Sequence, residues 1–387
     1  MDKKKICVIT GTRAEYGIFH LILKKITESK KLQLHLLVTG THLLEHLGST
    51  MNQIEDDGFK IDGIIPMYDQ HENKDSYFGR ALGRAIIGFT DELIKSKPDL
   101  LLVLGDRYEP LAAVLAASTL SIPIAHIHGG DNVFKGQIDE QIRHSITKFS
   151  HIHFPATKIS SERIRLLGEE EWRIHMVGSP SIDMIYQEKF LKKEDLCRKL
   201  GLALTEKIII CIYHSYIFES EKAGEYMNTI LRVLEELDFQ TVIVYPNNDP
   251  GSDLIIKEIN IKEKIQKFKI FKNLERIDYL SLLNNADLLI GNSSSGLIES
   301  PIFKLPVLNI GNRNKGRESA ENVINIINDY NEIKKAIDMA FSEEFQENCQ
   351  KVMNPYGDGK ASERIIKVLE ELEINKELLI KKLTYDI

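Results

Sequence analysis

Ten short apolar runs alternate with amphipathic segments along this chain, and no other feature of the sequence narrows its fold as much. In the first half they are KICVITG (5–11), LQLHLLVTG (32–40), DLLLVLG (99–105), IPIAHIHG (122–129) and HIHFPAT (151–157). The second half adds KIIICIYH (207–214), TVIVYPN (241–247), KFKIFKN (267–273), DLLIGNSS (287–294) and LPVLNIG (305–311). Runs without in–out alternation read as parallel strands covered on both faces. Between them lie helical patterns: Ile18, Leu21, Ile22 and Ile26 share one face, and Ile138, Ile142, Ile146 and Phe149 recur at helical spacing. Such alternation implies right-handed βαβ units, hence an α/β chain with two doubly wound sheets.

A chain of 387 residues exceeds one ordinary core, so two domains are expected. Gly178 and Pro180 punctuate VGSPSID and mark the expected join, giving domains over 1–178 and 179–365. A tail over 366–387 is expected to pack back on the first. The net charge of −7 offers no general attraction for nucleic acid or an anionic membrane, although a local cationic pocket can still hold a nucleotide. Four cysteines (Cys7, Cys197, Cys211, Cys349) form no CxxC pair, which fits buried free thiols in a reducing compartment. No apolar run approaches the ~20 residues of a membrane helix. A cytoplasmic protein is the expectation.

In doubly wound sheets, ligands sit at the carboxyl ends of the strands. GTRAEYG (11–17), GDRYEP (105–110), HIHGGD (126–131), YHS (213–215), YPNND (245–249) and GNSSSG (291–296) all fall at such ends and are expected to converge on one interdomain cleft. GNSSSGLIE joins a strand to a helix, with N-cap hydroxyls and Gly296 admitting a close ligand; free N–H groups and the helix dipole would suit a diphosphate. Arg13 and Arg107 follow strand-end glycines, where arginine suits bidentate phosphate recognition. Asp106 reads as a catalytic carboxylate or half of a salt bridge. Asp139 and Glu140 lie in the first turn of a helix, each about one turn from Arg143 and His144, so local ion pairs would account for all four. His126 and His128 alternate along a strand and would face one way; with no HExxH pattern or cysteine pair beside them, a structural reading outweighs zinc. His214 also ends a strand. Each motif alone is ambiguous, and their joint placement at strand ends carries the argument.

The ordered set GTRAEYG, GDRYEPLAA, HIHGGD, IDEQIRHSITKFSH, YPNNDPGS, GNSSSGLIE, LNIGNRNKGRE and PYGDG resembles the hydrolysing UDP-N-acetylglucosamine 2-epimerases, from about residue 5 to about 365. The resemblance implies the glycosyltransferase-B architecture of two Rossmann-like domains, with the sugar on the N-terminal side and the nucleotide held mostly by the second. It implies conversion of UDP-GlcNAc and water to UDP and N-acetylmannosamine for sialic acid synthesis, without metal or redox cofactor, in a homodimer or homotetramer. Arg13 and Arg107 would contact the substrate near the diphosphate. Asp131, Asn247, Ser293, Ser294, Gly296, Glu299 and Arg313 would serve binding, with Glu299 accepting from ribose hydroxyls. Asp106 and Asp139 match family carboxylates assigned to acid/base work, and His214 matches a histidine of the catalytic site.

Three departures stand out. The chain reads HIHGGD where the family commonly reads HIEGGE, so His128 replaces a carboxylate and is expected to take over as acid or base, its ordinary pKa of about 6.5 suiting the role. SYIFESE follows His214 in place of the usual PVT, and Gly17 stands where a serine often contacts the nucleotide. The nearest rival keeps the chemistry and changes the sugar to a nucleotide-activated 2,4-diacetamido-2,4,6-trideoxy hexose, as on the legionaminic acid route. A non-hydrolysing epimerase, a glycosyltransferase and a nucleotide-sugar sensor are the other readings, and fold alone does not separate them.

Overall fold

The structure is a computed structural model that describes residues 3–44, 50–69, 77–132 and 138–385. It resolves into two compact units. The first takes in the described residues up to 132, those from 138 to 186, and those from 356 to 385; the second runs from 187 to 355. The chain therefore changes unit eight residues after the VGSPSID join, and the helix Ala361–Glu371 lies wholly in the first unit. Two contacts fix that allegiance. The buried Asp183 carboxylate accepts the N–H groups of Ala361 (3.1 Å) and Ser362 (2.6 Å), and the buried Arg173 guanidinium donates to the carbonyls of Leu378 and Ile380 at 2.8 Å each.

The first sheet contains β1 (Lys4–Thr10), β2 (Leu32–Thr39), β3 (Gly63–Ile65), β4 (Leu100–Leu104), β5 (Ile124–Ile127) and β6 (Ile152–Phe154), in the order β3-β2-β1-β4-β5-β6. The second contains β7 (Ile208–Ile212), β8 (Gln240–Val244), β9 (Phe268–Phe271), β10 (Leu288–Gly291), β11 (Val307–Ile310) and β12 (Val323–Ile326), in the order β12-β11-β10-β7-β8-β9. Every pairing is parallel, and the two orders are the same doubly wound pattern read from opposite edges.

Burial on both faces explains the unbroken apolar runs. In β1, Ile6 and Val8 join a core beneath the helices Arg13–Glu28 and Ala361–Glu371, while Cys7 and Ile9 join another beneath Tyr77–Ser96 and Tyr108–Thr119. In β4, Leu100, Leu102 and Leu104 take the first side, Leu101 and Val103 the second. Each such fully buried aliphatic side chain contributes about 1.5–3 kcal/mol relative to exposure. The helix Ile138–Phe149 is less amphipathic than its spacing implies: Ile142 and Ile146 are buried, but Ile138 and Phe149 are exposed. All four cysteines are buried and free. Among the described residues no helix is long and apolar enough to cross a membrane.

Candidate functional site

The strand order reverses between β1 and β4 in the first sheet and between β7 and β10 in the second. In doubly wound sheets the carboxyl ends beside a switch point are where ligands bind, and the loops of interest lie at those ends of each sheet. After β1, Thr12 caps the helix Arg13–Glu28 by accepting the Glu15 N–H at 3.2 Å, and Arg13 stands exposed at its first position. Glu15 turns inward and accepts the Gly11 N–H at 2.9 Å; its other oxygen is buried without a hydrogen-bond partner among the described residues. After β4, the fully buried Glu109 holds Arg107 (Nε–Oε2 3.3 Å, Nη2–Oε1 3.4 Å) and accepts the Tyr68 hydroxyl at 3.0 Å. Burial first, and then the neighbouring Glu109 charge, push the Glu15 carboxyl up to about 7.

Beyond this pair lies a second cluster, centred on Arg143. The buried guanidinium forms an ion pair with Asp106, donates to Glu140 Oε1 at 2.5 Å, and donates to the Asp131 carbonyl at 3.0 Å. The helical offset pointed to Asp139 as the partner of Arg143; Glu140, three residues back on the same helix, and Asp106, at the end of β4, hold it instead. Asp139 is half-buried in the first helical turn and makes no ion pair among the described residues, whereas His144 does face Glu140, at 3.6 Å. Residues 133–137, which join HIHGGD to this helix, lie outside the described residues.

His126 and His128 do not share a face. β5 ends at Ile127, and His128 adopts a left-handed backbone (φ 63°), its N–H donating to the Phe154 carbonyl at 3.1 Å. His126 is fully buried with Nε2 at 2.8 Å from the Gly105 carbonyl, and burial above all lowers it to about 3, so it stays neutral and structural. His128 Nε2 lies 3.0 Å from the Ser179 hydroxyl, and its Nδ1 lies 4.0 Å from Asp131. Asp131 in turn accepts the Ser160 hydroxyl at 2.8 Å. Gly130 (φ 77°) completes the turn; a Cβ there would lie 2.2 Å from the Ser160 carbonyl. Among the described residues no group of three or more His, Cys, Asp or Glu is placed to hold a metal ion.

In the second unit one buried asparagine organises the strand ends. The Asn292 side chain accepts the His214 N–H at 2.7 Å and donates to the His214 carbonyl at 2.8 Å. The Asn292 carbonyl accepts Arg313 Nη1 at 3.2 Å and Asn314 at 3.0 Å. His214 Nδ1 accepts the Asn247 N–H at 3.1 Å, which leaves the proton of the neutral ring on Nε2. Asp249 receives the Asn247 side-chain amide at 2.8 Å and lies 3.7 Å from Arg313, whose own pKa is lowered by burial. The chain can pass here only through Gly291, where a Cβ would fall 1.8 Å from the Ile212 carbonyl.

The serine loop differs from expectation. The helix after it is a single turn, Ser295–Ile298, and Ser294 caps it by position without a side-chain hydrogen bond. The closeness at Gly296 is to the sheet, since a Cβ would meet Val307 at 3.0 Å and Leu289 at 3.3 Å. The third serine is the engaged one: Ser295 donates to Glu299 Oε2 at 2.6 Å and pairs with the Tyr279 hydroxyl at 2.6 Å. Burial raises the Glu299 pKa, against the pull of the Ser295 hydrogen bond and Arg276. Ser293 and Ser294 are half-buried at the same loop.

The family model for UDP-N-acetylglucosamine 2-epimerase matches residues 24–370. The chain belongs to this family. It is 37% identical over 378 residues to the UDP-N,N'-diacetylbacillosamine 2-epimerase (hydrolyzing) of Legionella pneumophila, covering 98% of both chains. It is 35% identical over 390 residues to the GDP/UDP-N,N'-diacetylbacillosamine 2-epimerase (hydrolyzing) of Campylobacter jejuni, covering 100% of both. In fold it is similar to the UDP-GlcNAc 2-epimerase of Neisseria meningitidis crystallised with UDP-GlcNAc, with a TM-score of 0.78 at 19% identity over 95% of this chain and 100% of that one.

As a member of the 2-epimerase family the chain is an enzyme of the glycosyltransferase-B architecture, its two Rossmann-like units each carrying part of the expected residue set. The first unit gathers Asp106, His128 and Asp131 around Arg143, and sets Arg107 on Glu109. The second gathers His214, Asn247 and Arg313 around Asn292. Glu109, Asn292 and Ser179 are organisers that the sequence reading left without a role, and Arg143 is one that it gave only a local ion pair. Burial of a polar or charged side chain is their common mark.

Proposed function

We propose that this enzyme is a hydrolysing 2-epimerase of a UDP-activated 2,4-diacetamido-2,4,6-trideoxy hexose, releasing UDP and the free sugar with inverted C2. One observation carries the choice of sugar: the two full-length relatives above are both named for N,N'-diacetylbacillosamine nucleotides. The expectation of UDP-GlcNAc is thereby the second reading.

The chemistry is common to both sugars. No carbonyl adjoins C2, so its proton becomes acidic only as the C1–O bond to UDP breaks and C1 takes on oxocarbenium character. Loss of that proton gives a 2-acetamido glycal; water then adds at C1 while C2 is protonated from the opposite face. Two acid/base groups are needed, one for each face. We assign these to the first-unit set Asp106, His128 and Asp139, with Arg143 fixing Asp106 by charge. Arg13, Arg107 and Arg313 are assigned to the diphosphate, where fixed cations stabilise the leaving group. Glu299, Asn247, Ser293 and Ser294 are assigned to the nucleotide, and His214, whose ring proton sits on Nε2, to the bond between sugar and phosphate.

Proton NMR in deuterated water tests the assignment with both nucleotides. The expected result is UDP plus a free trideoxy sugar carrying deuterium at C2, with kcat/KM about 100-fold or more above that for UDP-GlcNAc, since buried amide-binding groups strongly disfavour a substrate that lacks the amide. Faster turnover of UDP-GlcNAc would reverse the substrate choice. A product still joined to UDP would sink the hydrolytic reading.

A further inference from the structure

We propose that Glu109 is a positioning residue: it aims the Arg107 guanidinium at the diphosphate of the nucleotide, and Tyr68 holds Glu109 in place for that task. This rests on the assignment of Arg107 to the diphosphate.

Arg107 and Glu109 are two positions apart, a spacing that does not bring side chains together within a helix. They meet because Arg107 stands just before the helix Tyr108–Thr119 in extended backbone (φ −95°, ψ 171°), while Glu109 lies in its first turn. The carboxylate is fully buried, and the glycines that follow β1 and β2 make room for it. A Cβ at Gly11 would fall 2.6 Å from Glu109 Cγ, and one at Gly40 would fall 2.8 Å from Glu109 Oε1. The Tyr68 hydroxyl donates to Oε1 at 3.0 Å, and the Tyr68 ring stacks on that of Tyr77 with centroids 5.2 Å apart. Burial and then the Glu109 charge raise the Tyr68 pKa, so the phenol remains a donor.

Arg107 is the open end of this relay. Its side chain is 44% exposed, against 0% for Glu109. Nε and Nη2 donate to Glu109 at 3.3 and 3.4 Å, and the guanidinium makes no other hydrogen bond among the described residues. A tight charge-assisted bond spans about 2.7–2.9 Å, so Glu109 steers the guanidinium without consuming it. An unrestrained arginine gives up rotamer freedom when it orders on a phosphate. A preformed fork spares part of that loss and fixes the plane in which the remaining N–H groups meet paired oxygens. Charge alone argues the other way, since a carboxylate beside Arg107 weakens its pull on an anion. The neighbouring Glu15, raised by burial and then by Glu109 to about 7, is mostly protonated below that pH, so a single anion and not two offsets the arginine there.

The test is UDP affinity by titration calorimetry in a double-mutant cycle, with UDP as the probe because the identity of the sugar does not enter. Glu109→Gln keeps the shape and removes the charge, and UDP should bind about 5- to 10-fold more weakly. Arg107→Met should bind UDP about 10- to 100-fold more weakly. Adding Glu109→Gln to Arg107→Met should weaken binding by less than about 2-fold further, because residues that act through one another are not additive. Tyr68→Phe should weaken UDP about 2- to 5-fold in the parent and leave Arg107→Met unchanged. Unchanged or tighter binding by Glu109→Gln, with Arg107→Met weakened, would overturn the proposal and leave Glu109 a mere counter-charge. A Glu109→Gln loss that persists in full without Arg107 would also overturn it, marking Glu109 as structural. UDP held by Arg107→Met as tightly as by the parent would sink the diphosphate assignment itself, and the proposal with it. If Glu109→Gln does not fold, Tyr68→Phe in the two backgrounds decides alone.

Discussion

Arg143 and Asp106, 37 positions apart in sequence, form an ion pair at the carboxyl end of the first sheet, and the arginine is the buried partner. Arg143 also holds Glu140, so one guanidinium neutralises two carboxylates. Its removal takes that cation from the part-buried Asp106 and, of Arg143 and His144, leaves Glu140 facing His144 alone. Arg143→Met is expected to cost about 3–5 kcal/mol in urea unfolding and at least about 100-fold in kcat. Retained turnover in a folded variant would show that Asp106 needs no such partner.

The Glu15 carboxyl, raised to about 7 from its ordinary 4.5, gives a stability signature of definite sign. Between those two values the folded chain binds the proton more tightly than the unfolded one. The contribution is therefore complete below about 4.5 and is lost as pH rises through about 7. Glu15→Gln keeps the shape of the protonated group at every pH. Above pH 7 it should be more stable than the parent by on the order of 1–3 kcal/mol, and the two should converge below pH 4.5. Parallel melting curves from pH 4 to pH 9 would reveal the crossing or its absence.

Asn292 grips both backbone polar groups of His214, so Asn292→Ala takes a partner from each of these part-buried groups. A loss of about 0.5–1.5 kcal/mol for each lost hydrogen bond is expected. The Arg313 contact is made to the Asn292 backbone and survives the substitution. Titration calorimetry should accordingly find UDP affinity within about 3-fold of the parent while kcat falls about 10- to 100-fold, as it does when a histidine loses its outer support. Equal losses in both would make Asn292 merely structural.

Tyr279→Phe tests the ribose assignment of Glu299. It removes the hydroxyl that pairs with Ser295, and Ser295 in turn restrains Glu299. UDP affinity should drop about 5- to 10-fold, the value of one hydrogen bond in a buried chain, and kcat at saturation should hold. An unchanged affinity for UDP would detach Glu299 from nucleotide binding.

What was legible in the sequence follows from local chemistry. Unbroken Ile, Leu and Val runs announced inner parallel strands because both faces of β1, β4, β7 and β10 are covered, and the glycine-bearing ends of those runs marked the switch points. Two of the four edge strands were not legible. β3 and β12 are three and four residues long and only partly buried, so nothing in their composition separates them from loops. His128 was misplaced for a related reason: a strand pattern extrapolated through residue 128 misses the left-handed turn that ends β5 at Ile127.

The sequence by itself determined the α/β class, two doubly wound sheets, the family, and the set of strand-end loops that carry polar residues. The tertiary structure alone decided how those residues are paired. Arg143 met Asp106 across 37 positions, Asn292 reached His214 across 78, and His128 met Ser179 across 51. The physical reason is that helical offsets fix only neighbours within a turn or two, whereas these partners are brought together by parallel strand register and by the burial that makes an unpaired charge or amide costly.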